Sequence, residues 1–121
     1  MDKYTKEELQ EALKVVTSTI TNCEKMHPKF AEGTSQHTLL KNRIKALYIS
    51  KSLIEDEDVT EKYTTEELEK ALAPVSSIIS KSEKAHQKAV EGTSTDTRLK
   101  KIIKAMHISK SLITNEINRR N

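Results

Sequence analysis

Apolar or ring-bearing side chains recur along the first part of the chain at alternating steps of four and three: Leu9, Leu13, Val16, Ile20, Cys23, His27 and Phe30. That spacing keeps them on one side of an α-helix, as in a heptad seam. The spacing returns at Leu68, Leu72, Val75, Ile79, Ser82, His86 and Ala89. Ala12, Val15, Thr19 and Met26 widen the first stripe, and Ala71, Ile78 and Ala85 the second. Each seam begins with a helix-start pattern. Thr5 with Glu8, and Thr64 with Glu67, read as capping boxes, and the pairs Tyr4/Leu9 and Tyr63/Leu68 read as hydrophobic staples. Pro28 predicts a bend or break at the end of the first helix. Pro74 predicts a kink near residues 70–74 of its counterpart. Gly33 reads as the left-handed residue that ends the first helix.

Two further helices follow these seams. Thr34 and Ser35 are N-cap types, and Thr93 with Asp96 reads as an acidic capping box. Leu40, Ile44, Leu47 and Ile54 define one face after the first cap, flanked by Ala46, Ile49 and Leu53. Leu99, Ile102, Ile103, Met106, Ile108, Leu112 and Ile113 do so after the second. An apolar face this wide suits a helix with more than one neighbour. The short Glu-Gly-Thr-Ser turn predicts an antiparallel hairpin in each half.

The halves match one another. At a shift of 59 residues, 4–54 aligns with 63–113 without a gap, and 30 of 51 positions are identical. A match of this length is the mark of a tandem internal duplication, with residues 55–62 as the linker. The predicted fold is all-α. It is a single domain over residues 1–121, made of two helical hairpins in an antiparallel four-helix bundle with internal pseudo-twofold symmetry. An alternative opens the hairpins so that the long first helices pair across two chains. Residues 118–121 are expected to fray.

Composition narrows the class. Aromatics are scarce and there are only two Gly and two Pro, which argues against a turn-rich β fold. No apolar run is long enough to span a bilayer. Met1-Asp2-Lys3-Tyr4 leads into an amphipathic helix rather than a signal peptide. The lone Cys23 fits a reducing, cytoplasmic setting. A net charge of +3 is too small to name a partner.

Three patterns carry candidate chemistry. Glu24-x-x-His27 and Glu83-x-x-His86 supply half of a di-iron carboxylate arrangement, but residues 36–54 and 95–113 contain no Glu to complete it. Each His is better read as a packed seam residue beside its own carboxylate, Glu24 or Glu83. The second pattern is a basic stripe: Lys41, Arg43, Lys45 and Lys51 in one half, and Arg98, Lys100, Lys101, Lys104, Lys110, Arg119 and Arg120 in the other. Such a stripe could meet nucleic acid or an anionic membrane surface. The acidic starts of the first helices could equally offset it. Lys51 and Lys110 lie close to the apolar face, where a lysine either snorkels or pairs with an acid on a neighbouring helix. The third is Cys23, on the seam and replaced by Ser82 in the second copy, read as a packing residue. No nucleophile–base set or phosphate loop is present.

The expectation is therefore a non-enzymatic, cytoplasmic helical bundle without cofactor, acting in protein–protein interaction or self-association. Its alternatives are an anion-binding module on the second helices and a metal-binding bundle using the Glu-x-x-His pairs.

Overall fold

The computed structural model describes residues 4–121; the first three residues of the expected Met1–Tyr4 lead lie outside the described range. Four α-helices follow one another: α1 Lys6–Met26, α2 Ser35–Ile54, α3 Thr65–Lys88 and α4 Ser94–Arg120. A 3₁₀ turn, His27–Lys29, follows α1. The predicted caps form. The Thr5 N–H donates to Glu8 Oε1 at 2.9 Å, and the Glu8 N–H donates back to Thr5 Oγ1 at 3.0 Å. Thr64 and Glu67 repeat the exchange at 2.8 and 3.1 Å.

The two Pro residues act differently because of where they sit. Pro28 falls at the start of the 3₁₀ turn, so α1 stops at Met26. Gln87 holds the equivalent place in α3, which runs on to Lys88. Pro74 lies inside α3, which continues through it. Gly33 has the left-handed φ of 89°, but it lies in the loop beyond the 3₁₀ turn and not at the end of α1. The expected helix stop at Gly33 is thus corrected: Pro28 ends the helix and Gly33 turns the loop.

Helices pack in a ring. α1 contacts α2 and α4, and α3 contacts the same two. Across the middle, the α2 and α4 backbones approach closely, whereas no Cα atoms of α1 and α3 come within 8 Å of each other. Small buried residues explain the unequal diagonals. Ala46 and Ser50 on α2 are one turn apart and almost fully buried, as are Ala105 and Ser109 on α4. Each serine hydroxyl folds back onto the carbonyl four residues earlier, at 2.9 Å, so neither is an orphan. Small side chains at these positions let two helix backbones approach closely. Around them pack Val16 and Ile20 of α1, Leu47 and Ile54 of α2, Val75 and Ile79 of α3, and Met106 and Ile113 of α4, all buried.

Two segments differ from expectation. The linker is structured at both ends. Glu57 N–H donates to Ser52 C=O at 3.0 Å and Asp56 N–H to Leu53 C=O at 3.1 Å, a Schellman closure of α2 with Asp56 at φ 59°. Val59 is buried at 2% exposure. The tail is helical to Arg120 instead of frayed. The Arg120 guanidinium donates to Tyr63 C=O at 2.8 Å and Val59 C=O at 2.9 Å, and Arg119 reaches Thr60 Oγ1 at 3.1 Å. These bonds tie the end of α4 to the linker, where Val59 C=O also accepts from the Lys62 and Tyr63 N–H groups at 3.1 Å.

Candidate functional site

All four helix termini that carry histidine or its partners gather at one end of the bundle: the end of α1, the start of α2, the end of α3 and the start of α4. The Glu-x-x-His residues do not converge there. His27 stacks on His37 with ring centroids 4.1 Å apart, and its buried Nε2 has no partner. Glu24 instead accepts from the Tyr48 hydroxyl at 2.8 Å, which raises the tyrosine pKa. His86 Nε2 lies 2.7 Å from Asp96 Oδ1, and Glu83 is exposed. The expected carboxylate partners Glu24 and Glu83 are therefore replaced by residues from the start of the following helix. The α1 and α3 backbones lie on the long diagonal, and each motif pairs within its own hairpin. Among the described residues, no three His, Cys, Asp or Glu side chains come together as metal ligands.

Asp96 shows why the acidic capping box was misread. Its N–H donates to Thr93 Oγ1 at 3.2 Å as predicted. Its carboxylate, however, passes over the Thr93 N–H and accepts from the Gly92 N–H at 3.0 Å, with Lys100 Nζ 3.3 Å away. The Gly92 bond, then His86 and Lys100, hold its pKa below the usual carboxylate range against the desolvation that opposes them. In the first hairpin the same position is His37. Two equivalent backbone sites thus carry a ring stack in one hairpin and a carboxylate–imidazole bond in the other.

The basic stripe is mostly occupied. Lys45 bonds Glu67, and Lys104 meets Glu8 at 3.1 Å; these are repeat-equivalent bridges between hairpins. Each capping glutamate uses one oxygen for its cap and the other for the lysine. The Thr5 N–H bond leads in lowering the Glu8 pKa, and the Lys45 bond leads for Glu67. Lys101 meets Glu11 at 3.2 Å, Lys51 meets Glu55 at 3.3 Å, and Arg119 and Arg120 share Glu116. Lys51 therefore pairs within its own helix end, while Lys110 is exposed. What a nucleic-acid or membrane reading needs, a continuous row of free cations, is interrupted by these pairs.

Burial pushes the Cys23 thiol up, and the nearby Arg43 charge opposes that shift only in part. A buried thiol with a raised pKa is a poor nucleophile.

Open surface lies where the hairpins meet. The larger groove, about 790 Å³, runs between α2 and α3 over Ala46, Ile49 and Ala71, with Leu39 and Pro74 at its sides. Leu39 is 66% exposed. A second groove, about 590 Å³, runs between α1 and α4 past Val15, Ser18, Arg98 and Ile102. These positions correspond by the 59-residue shift to Pro74, Ser77, Leu39 and Arg43 of the first groove. Both grooves are thus the same place in the repeat, dressed differently. Periodicity did not single out Arg43, because the residue lies at the edge of the apolar face of α2. The packing of α3 beside it places Arg43 in the lining of the groove.

Among the described residues, no helix is long and apolar enough to cross a membrane. Comparison with protein-family models, with curated proteins and with solved structures finds no match to this chain.

Proposed function

We propose that the protein is a non-enzymatic binding module that docks an acidic amphipathic helix of a protein partner in the α2–α3 groove. The observation that carries this reading is one surface combining three features. Its floor is apolar, at Ala46, Ile49 and Ala71, whose side chains are themselves packed in the core. Leu39 stands exposed on its rim, and Arg43 and Lys81 line it without an ion-pair partner among the described residues. The two alanines leave the cleft that admits the apolar face of a helix, and exposed leucine supplies the anchor contact. Unpaired cations at the margin favour a segment with acidic flanks and speed its encounter. A single buried cysteine with a raised pKa suits a reducing compartment, in keeping with a cytoplasmic module.

The test is a photo-crosslinking side chain placed at Leu39 in the full chain, with the same group at Lys110 as control. Mass spectrometry of the position-39 adduct is expected to find a segment with net negative charge and apolar residues at helical spacing. Its yield is expected to fall in Lys81→Glu. Equal crosslinking from position 110, a basic segment, or indifference to Lys81→Glu overturns the proposal.

A further inference from the structure

We propose that His86 is a phosphoryl acceptor, taking the group on its Nδ1 from a phosphoramidate donor. The site lies on α3 and α4 and shares no lining residue with the α2–α3 groove, so it goes beyond the docking reading and stands without it.

The two ring nitrogens of His86 have different surroundings. Nε2 lies 2.7 Å from Asp96 Oδ1. Asp96 is 4% exposed, and its second oxygen accepts from the Gly92 N–H at 3.0 Å and meets Lys100 Nζ at 3.3 Å. The Gly92 bond leads, with His86 and Lys100 behind it, in keeping this carboxyl ionised. A carboxylate only accepts, so the imidazole proton sits on Nε2 and the lone pair on Nδ1. Nδ1 makes no hydrogen bond among the described residues and is open to solvent. The fold thus holds the ring proton against a buried carboxylate and leaves the nucleophilic nitrogen accessible.

The chemistry follows from that arrangement. The Nδ1 lone pair forms a bond to phosphorus, the donor's own N–P bond breaks, and the donor nitrogen leaves with that electron pair. One N–P bond is exchanged for another of the same kind. Nε2 keeps its proton, so the ring becomes cationic, and Asp96 stabilises that charge through the bond it already makes. The same carboxylate carries Lys100 on its other oxygen, which fixes an ammonium group near the ring. His86 borders a concavity of about 540 Å³ whose lining includes Gln87, Lys100, Lys104 and one acid, Glu83. Lysines on its rim favour an anionic phosphoryl group over a neutral acyl group.

The repeat supplies a contrast. His27 holds the equivalent place on α1, but His37 stands where Asp96 does, and the two rings stack on each other. Packing of the hairpin therefore does not demand a carboxylate at position 96.

The experiment incubates the full-length protein with potassium phosphoramidate near pH 8. Long-range ¹H–¹⁵N and ³¹P NMR separate Nδ1 from Nε2 adducts and report the tautomer of each ring. The Nε2–H tautomer is expected for free His86, with phosphorylation on its Nδ1 and slower labelling of exposed His107. Asp96 is a positioning residue, and Asp96→Asn tests that role. The Gly92 N–H and Lys100 hold the amide oxygen, so the amide NH₂ faces Nε2 and the ring proton moves to Nδ1. Ring ¹⁵N shifts are expected to show this reversed tautomer, which a loss of packing alone would not produce. Transfer to Nδ1 is expected to slow about tenfold or more. Attachment at Nε2 of His86, labelling of His107 as fast as that of His86, or an unchanged rate in Asp96→Asn overturns the proposal.

Discussion

Replacing Ser109 by leucine probes the short diagonal of the bundle directly. Ser109 and its repeat partner Ser50 are both fully buried, each one turn from a buried alanine, on the two helices that meet across the middle. Leucine adds two heavy atoms where the serine leaves no exposed surface. Forcing methyl groups into a packed interior destabilises by about 1–3 kcal/mol, through off-rotamer side chains and shifted backbones. The lost hydroxyl bond adds less than about 1 kcal/mol, because its acceptor, the Ala105 carbonyl, already lies within the helix ladder. The expected total is about 1–4 kcal/mol, a large part of the roughly 5–15 kcal/mol of a typical domain. Urea unfolding read by circular dichroism measures it, with the midpoint falling and the slope unchanged. Ser109→Ala is the control and should stay within about 1 kcal/mol of the parent. The double variant Ser50→Leu/Ser109→Leu should depart from additivity, because the two sites share one space. A Ser109→Leu protein as stable as the parent would refute the claim that small side chains set the α2–α4 approach.

Three further outcomes follow from local geometry. Asp56 holds a left-handed φ that glycine adopts without steric cost, so Asp56→Gly should raise stability by about 0.5–1 kcal/mol in the same urea assay, despite the greater freedom of the unfolded glycine chain. The Asp96 carboxyl is held below its unfolded value near 3.9, so its contribution is present above that pH and is lost as pH falls through the lower folded value. The urea midpoint of Asp96→Asn should therefore fall less steeply than that of the parent between about pH 5 and pH 2. Arg120→Met should increase amide exchange at Lys62 and Tyr63 and lower stability by about 1–3 kcal/mol, since the Tyr63 and Val59 carbonyls lose a charged donor and only Val59 keeps backbone partners among the described residues.

Local chemistry was the most legible part of the chain. A capping box needs four consecutive residues and no tertiary context, so Thr5–Glu8 and Thr64–Glu67 could be read directly. The seams were equally open, because helical period alone puts Val16, Ile20, Val75 and Ile79 on one side. Features that depend on how a loop folds were not. His27 finds His37, and His86 finds Asp96, only after the Gly-containing loops return the chain, so a search within four residues selected Glu24 and Glu83 instead. Asp56 in a left-handed conformation and buried Val59 lie in residues 55–62, where no helical or strand period marks which side chains turn inward. Arg43 was read as one member of a stripe. Its distinction lies in a buried Nε and in partners that its neighbours found and it did not.

The unequal diagonals have a consequence for how the molecule opens. The α2 and α4 backbones each approach three other helices closely, whereas those of α1 and α3 each approach two. α3 is further secured by the most extensive pairing in the bundle, with α4. That leaves α1 as the least tethered element, and its detachment would preserve the α2–α3–α4 cluster. Native-state exchange should then order the chain into a slowly opening unit of three helices and a faster one at the beginning, so the bundle breathes from one edge and not from its middle.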